Sequence, residues 1–197
     1  MQVIQTRRLN LRWLAESDAE FIFDLLNQPS WLKFIGDRGV CNLDDAREYI
    51  KTGPLAMINT YGFGLYLTEI KASRTPIGLC GLLKRDTLND VEIGFAFHPD
   101  FWGQGYANEA ALACMNYARN PLQLERIVAI TVPSNNACIR LLKMIGMQYE
   151  KEISLGNSNE VLQLYATQML KPQGGHRPAT NKNYIGKADN ANLATIF

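Results

Sequence analysis

Alternating apolar and polar positions predict a series of strands in the first half of the chain. A period-two pattern over residues 6–14 indicates the first strand. Ser17 with Glu20 three positions later is typical of a capping box, so a helix is predicted to begin there. A second helix is predicted over 43–57, interrupted near 53–54, where glycine and proline meet. Three further alternating runs joined by short turns indicate an antiparallel meander: residues 61–70, 77–83 and 91–97.

Helical and extended patterns alternate in the second half of the chain. Helices are predicted over 106–119 and 135–145, and strands over 126–132, 147–153 and 161–169. Hairpins followed by alternating strands and helices indicate the α+β class. We therefore expect a mixed, mostly antiparallel central sheet of about seven strands, flanked by helices.

Composition and charge narrow the function classes. With 197 residues, of which 47% are hydrophobic and 20% charged, the chain fits a globular protein with a full core. The formal net charge of +1 gives no electrostatic reason to expect nucleic acid or a membrane surface as a partner. No uncharged apolar run approaches the ~20 residues of a membrane span. Arg7, Arg8 and Arg12 interrupt any signal-peptide core.

The cysteines add an expectation about location. The four of them, at positions 41, 80, 114 and 138, are widely spaced and form no Cys-x-x-Cys motif. This usage is typical of free thiols in a reducing cytoplasm. We therefore expect a cytoplasmic protein without a bound metal.

The most informative segment is a glycine-rich turn between a predicted strand and a predicted helix. After a strand that ends at Pro99, the paired glycines Gly103 and Gly105 lead directly into a helix. Such a turn presents free backbone N–H groups at the positive end of the helix dipole, and this is most often a phosphate site. The third glycine of the dinucleotide fingerprint and the P-loop lysine are both absent, so neither familiar nucleotide site is predicted.

The turn resembles the pyrophosphate loop of the GNAT superfamily, the acyl-CoA-dependent N-acyltransferases. Trp-Gly-Gln-Gly-Tyr-Ala at 102–107, followed by Glu109 and Ala110, is similar to the RimJ/RimL-type branch. A second segment, 135–147, resembles the family's Asn-x-x-Ser…Gly-Phe helix, with Cys138 in place of serine and Met147 in place of phenylalanine. The resemblance covers roughly residues 5–170. It implies the GNAT fold, acetyl-CoA as cosubstrate, and direct acetyl transfer to an amine without a metal.

The resemblance also implies which residues hold the cosubstrate. The pantetheine arm is expected along the strand before the loop, and the pyrophosphate on the backbone of the loop itself. Asn135 is expected to contact the pantetheine arm while capping its helix. Predicted cosubstrate contacts on the strand and the loop are Phe95, Ala96, Phe97, Trp102, Gly103, Gln104, Gly105, Tyr106, Ala107 and Asn108.

Two residues are predicted to carry the acid–base chemistry. Glu92 is the candidate base, directly or through water, the alternative being an exposed carboxylate on the polar face of its strand. Cys138 is the candidate proton donor to the leaving thiolate, and a position near a helix N-terminus tends to lower a thiol pKa. Its alternative is a small buried hydrophobic residue. Other GNAT branches have a tyrosine acid where this chain has Leu142. His98 lies at the entry to the loop, so a role in the loop is expected for it and not a role as the base.

The acceptor is an amine that the sequence does not identify, a protein N-terminus or a small molecule. Residues in the regions that line the acceptor pocket in relatives are Trp31, Phe34, Asp37 and Tyr61. An alternative of another class is a CoA-binding regulatory module with weak catalysis, which the missing serine and tyrosine favour. The glycine pair and Glu92 favour an enzyme.

The end of the chain differs from the rest. Residues 171–197 are rich in Asn, Gly, Lys and Ala and show no apolar periodicity before Leu193. The predicted division is an acetyltransferase domain at 1–170 and a C-terminal extension at 171–197 of uncertain role. Apolar side chains of the extension are predicted to dock on a neighbouring subunit, in a possible homodimer, or on the acceptor face.

Overall fold

A central mixed sheet organises the chain. The computed structural model describes residues 2–156 and 160–168. Its strands are β1 (Gln2–Gln5), β2 (Leu9–Arg12), β3 (Leu65–Ile70), β4 (Pro76–Leu83), β5 (Val91–Phe97), β6 (Ile127–Thr131), β7 (Gln148–Ile153) and β8 (Leu162–Ala166). Their order across the sheet is β1-β2-β3-β4-β5-β6-β8-β7, and every neighbouring pair is antiparallel except β5 and β6.

This sheet confirms the predicted α+β class and its mostly antiparallel pairing. It has eight strands instead of about seven, because residues 2–5 pair with β2 as a strand of their own. The alternation predicted as one strand over 6–14 therefore corresponds to a turn followed by β2. The C-terminal extension and the homodimer predicted through it lie outside the described residues.

Helices cover both faces of the sheet. They are α1 (Ala19–Leu26), α2 (Pro29–Phe34), α3 (Leu43–Ile50), α4 (Ala56–Tyr61), α5 (Tyr106–Arg119) and α6 (Asn136–Met144). Successive side chains of a strand point to opposite faces. In β3, Tyr66 accordingly joins the buried cluster that contains α5 and α6, whereas Leu65 and Leu67 join the cluster that contains α1 and α3. Both faces of the sheet are thus buried by apolar side chains.

The start of α1 differs from the prediction. A capping box at Ser17 and Glu20 is wrong, because a 3-10 turn precedes the helix and neither side chain caps it. Asp18 accepts the backbone N–H of Ala15 at 2.8 Å and both Nη groups of Arg12 at 2.8 Å. A carboxylate that binds a guanidinium and a backbone amide together is a stronger anchor than a serine cap.

The second helical segment is also longer than predicted. The π-helical turn Lys51–Leu55 contains the glycine and the proline and carries the chain from α3 into α4. Proline removes one backbone donor from a helix, and the wider π turn absorbs this locally. The helix ends at Gly62, whose φ is +76°, so β3 begins at Leu65 instead of 61. The short helix α2 was not predicted, although Pro29 occupies its first turn.

Candidate active site

The cleft between β5 and β6 is the central feature of the site. Only two residue pairs join these parallel strands, Val91 with Ile127 and Glu92 with Val128. Both strands continue beyond these two pairs, β5 paired with β4 and β6 paired with β8. Within the described residues, the facing edges of β5 and β6 carry no ladder beyond the two pairs. A cavity of about 300 Å³ lies in this cleft. Unpaired strand edges offer backbone donors and acceptors to an extended ligand.

The glycine-rich loop adopts the conformation that its sequence predicts. Gly103 and Gly105 have φ values of +73° and +78°, in the left-handed region that glycine occupies without strain. The Glu109 N–H donates to the Gly105 carbonyl at 3.1 Å, which closes the first turn of α5. Among the described residues, the backbone N–H groups of 103–108 have no hydrogen-bond acceptor. These free amides at a helix N-terminus form a cradle that fits a pyrophosphate.

An arginine from the N-terminal region holds this loop in place. Arg8 Nε donates to Glu109 Oε2 at 2.6 Å, and its Nη1 donates to the carbonyl of Gln104 at 2.9 Å. The guanidinium also lies 4.5 Å from the centre of the Tyr106 ring. Thr6 Oγ1 donates to the other oxygen of Glu109 at 2.6 Å. Local sequence patterns carry no signal for this contact, because its partners lie about a hundred positions apart.

The same contacts favour the ionised form of the Glu109 carboxyl. Burial raises the pKa of this carboxyl most, but the hydrogen bonds from Thr6 and from the backbone and side chain of Arg8 together lower it below its ordinary value. The ion pair with Arg8 is therefore formed at neutral pH. It places a fixed cation beside the anion cradle.

Trp102 connects the loop to the end of β5. Its indole Nε1–H donates to the carbonyl of Phe97 at 2.7 Å, while the residue as a whole is exposed. Of the three strand residues predicted to contact pantetheine, Phe95 and Ala96 line the cavity. Phe97 does not, since its side chain is buried in the core cluster against α5. His98, predicted to serve the loop, lies outside the cavity lining, with Nε2 3.1 Å from an oxygen of Asp24.

Glu92 lies at the point where the two strands separate. It is 4% exposed and lines the cavity, so the alternative of an exposed carboxylate is wrong. Arg85 Nε donates to its Oε2 at 2.5 Å. Burial raises the pKa of the Glu92 carboxyl, and the charge and hydrogen bond of Arg85 oppose that rise. A carboxylate offers about four lone-pair positions, so Glu92 can hold Arg85 and still accept a proton.

Cys138 lines the same cavity from the first turn of α6. Asn135 caps this helix, its Oδ1 accepting the N–H of Cys138 at 3.1 Å. The expectation of a lowered thiol pKa is wrong. Burial raises the pKa of Cys138, the neighbouring Thr131 hydroxyl opposes the rise, and the charge of Glu92 adds to it. The thiol therefore keeps its proton at neutral pH, as a proton donor must.

The part of the cavity lining that the sequence predicts for the acceptor includes α2 and the segment after it. Trp31 and Phe34 line the cavity as predicted. Asp37 and Tyr61 do not: the former accepts the N–H of Gly39 at 2.8 Å, and the latter stacks on Phe63. Four charged residues of the lining were not predicted, which are Lys33, Arg38, Arg85 and Glu160.

In the part of the chain that the structure describes, no group of three or more His, Cys, Asp or Glu side chains is arranged to hold a metal ion. Among the helices of residues 2–156 and 160–168, none is long and apolar enough to cross a membrane.

Comparison with known proteins decides the family. A family model described as an acetyltransferase (GNAT) domain matches residues 8–148. The chain belongs to the GNAT acetyltransferase family. It is an N-acetyltransferase, and GNAT enzymes take the acetyl group from acetyl-CoA and pass it to an amine. This confirms the predicted enzyme over the regulatory module.

Individual relatives agree with the family. YkkB of Bacillus subtilis (strain 168) is 34% identical over 155 residues, which are 77% of this GNAT chain and 88% of YkkB. The N-acetyltransferase YnaD of the same organism is 29% identical, over 75% of this chain and 83% of its own. The crystal structure of an acetyltransferase from Agrobacterium tumefaciens str. C58 superposes with a TM-score of 0.73 at 24% identity, over 86% of this chain and 95% of its own.

The RimJ/RimL-type resemblance has a structural counterpart. RimL, a ribosomal alpha-N-protein acetyltransferase in complex with coenzyme A, superposes with a TM-score of 0.71 at 18% identity, over 84% of this chain and 97% of its own. An identity this low establishes the shared fold and leaves the acceptor of this GNAT enzyme open.

Proposed function

We propose that this N-acetyltransferase binds acetyl-CoA in the cleft between β5 and β6 and transfers the acetyl group directly to an amine. The observation that carries the proposal is that Glu92, Cys138 and the unpaired edge of β5 meet at one cavity. Acetyl-CoA supplies an activated acetyl group, so the chain's own residues need only bind, orient and move protons.

The loop holds the pyrophosphate in this proposal. The free backbone amides of 103–108 donate to phosphate oxygens, and Arg8 adds a cation. Phe95 and Ala96 lie where the pantetheine arm would extend along β5. On α6, Asn135 caps the first turn that carries Cys138, and this fixes the direction of the thiol.

Two proton transfers complete the reaction. As the amine nitrogen forms its bond to the acetyl carbonyl carbon, Glu92 takes a proton from the nitrogen, directly or through a water molecule. As the carbon–sulfur bond of the thioester breaks, Cys138 gives its proton to the leaving sulfur. Glu92 then returns a proton to Cys138 through solvent, so the enzyme ends unchanged. The acceptor is a small-molecule amine or a protein N-terminus.

Steady-state release of CoA with a panel of amines tests this function. We expect multiple turnovers with at least one amine, and an acetylated product that matches the CoA released. The Glu92→Gln variant serves as the matched control, because it keeps the shape of the side chain and loses its basicity. If acetyl-CoA binds and no amine in the panel causes turnover above that variant, the proposal fails.

A further inference from the structure

Apolar side chains make up most of the cavity lining among the described residues. The charged side chains of the lining are of both signs, and two of them, Arg85 and Glu92, pair with each other at 2.5 Å. The lining therefore offers a bound molecule mainly apolar contact.

Two apolar side chains of this lining are open to solvent. Leu32 and Ile35 line the cavity and are 42% and 38% exposed. They lie three positions apart, in α2 and directly after it, a spacing that places them on one side of the helix. Single exposed apolar residues are common on protein surfaces and need no explanation. This pair differs because it lines the same cavity as the proposed base, where a bound acceptor can cover it.

Further apolar side chains reach the cavity from two distant parts of the chain. Leu155 follows β7 and Leu162 begins β8, and both line the cavity while only half-buried. Phe34 of α2 is half-buried in the same lining. All three side chains keep apolar surface that a ligand can remove from water, which is the main favourable contribution that such surfaces make to binding.

We propose that the acceptor is a small primary amine with an apolar body, which packs against Leu32, Ile35 and the half-buried apolar side chains of the same lining. The inference rests on the proposed function, which gives β5 and Cys138 to the cosubstrate and leaves these side chains to the acceptor. The cavity of about 300 Å³ is at the small end of ligand pockets, which favours a small molecule over a peptide. Apolar surroundings disfavour a charged ammonium group, so the same contacts favour the neutral amine that attacks the thioester.

Straight-chain primary amines from ethylamine to hexylamine test the proposal. Their basicity hardly changes with length, so differences in kcat/KM report how well the apolar chain is bound in the transition state. We expect kcat/KM to rise roughly fourfold for each added methylene group. 5-Amino-1-pentanol has a hydroxyl where hexylamine has its terminal methyl, and its kcat/KM should be roughly 10-fold lower than that of hexylamine.

Variants of the two exposed residues separate recognition from folding. Leu32→Ala and Ile35→Ala should lower kcat/KM roughly 10-fold for hexylamine and hardly change it for ethylamine. Both side chains are exposed, so the fold should tolerate alanine, and a purely structural effect would lower all amines equally. Leu112→Ala is the matched control, because Leu112 is 45% exposed on α5 and is not among the described residues of the lining.

Other occupants of this part of the cavity give different results. Leu32→Ala and Ile35→Ala should bind acetyl-CoA as tightly as the parent in a titration, and a clear loss would show that the cosubstrate covers these side chains and would overturn the proposal. A peptide that begins with leucine is compared with leucinamide. A higher kcat/KM for the peptide would indicate a protein N-terminus as the acceptor and would also overturn the proposal.

The outcomes distinguish this inference from the proposed function. If amines react with a kcat/KM that does not depend on chain length, the apolar acceptor is refuted and acetyl transfer stands. If no amine reacts, the proposed function fails, and calorimetric binding of the same amines to the enzyme with CoA still decides the inference. An affinity that rises with chain length and falls in Leu32→Ala supports it. An affinity that is undetectable or independent of length overturns it.

Discussion

Replacing Gly105 by valine separates the binding role of the loop from its conformation. Gly105 and Gly62 have nearly the same left-handed φ, +78° and +76°, but only Gly105 lies in the anion cradle. A side chain placed on either residue is strained, because L-residues avoid this region. Gly62→Val is therefore a matched control for the conformational effect. A Cβ on Gly62 meets no atom within 4 Å, and one on Gly105 meets only the Arg8 Nη2 atom at 3.4 Å.

The expected magnitudes follow from these values. Each variant loses about 1–2 kcal/mol of unfolding free energy from the left-handed backbone alone, which lowers Tm by about 2–8 °C in a domain of this size. Acetyl-CoA at about 100 times its Kd adds roughly 2.7 kcal/mol to the parent, a rise of about 5–11 °C. A 100-fold loss of affinity in Gly105→Val leaves only about 0.4 kcal/mol at the same concentration.

Thermal denaturation with and without acetyl-CoA measures all of these quantities. Without ligand, the two variants should melt at similar temperatures below the parent. With ligand, Gly62→Val should rise as far as the parent, and Gly105→Val should hardly rise at all. An equal rise in both variants would refute the assignment of the loop as the pyrophosphate site. An unmoved Tm in the parent would refute acetyl-CoA binding itself.

Four further experiments address other residues of the proposed site. Glu92→Gln should lower kcat by on the order of 100-fold with unchanged acetyl-CoA affinity, and retention of most activity would assign Glu92 a structural role. Burial raises the pKa of Glu92, and only its ionised form accepts a proton, so kcat/KM should rise with pH through that pKa. Arg85→Gln removes the opposing cation and should therefore move the midpoint of this rise to higher pH. An unmoved midpoint would contradict the assignment of Glu92 as the base. Cys138→Ser should stay active while Cys138→Ala slows, equal rates indicating packing alone. Arg8→Gln should weaken acetyl-CoA binding roughly 10-fold in a titration without changing the acceptor KM.

What the sequence predicted well is local. The strand, the paired glycines and the start of the helix follow one another within residues 92–107, so their geometry follows from turn chemistry and periodicity. Asn135 as a helix cap is local in the same sense, and the structure confirms it. The prediction of a capping box at Ser17 was wrong because the neighbouring carboxylate of Asp18 binds Arg12, a contact that the rules for helix caps do not include.

What the sequence could not predict depends on chain segments that meet only after folding. Arg8 reaches the loop from a separate part of the chain, and Arg38 and Arg85, which are distant in sequence, line the same cavity. The prediction of a lowered pKa for Cys138 was wrong for the same reason. A helix N-terminus is visible in sequence and lowers a thiol pKa, but burial comes from the surrounding strands and has the larger effect.

The two proposed acid–base residues illustrate how one environment can serve opposite roles. Burial raises the pKa of both Glu92 and Cys138, which face the same cavity. Of these two residues, Glu92 alone has a cation bonded to it within the part of the chain that the structure describes. That cation is Arg85, and the contact favours the ionised carboxylate needed in a base. The charge of Glu92 in turn raises the pKa of Cys138 and keeps the thiol protonated, as an acid requires. A single arginine placed on one member of the pair is thus enough to assign the two roles. This is why Arg85→Gln should disturb the pH profile more than a loss of simple packing would.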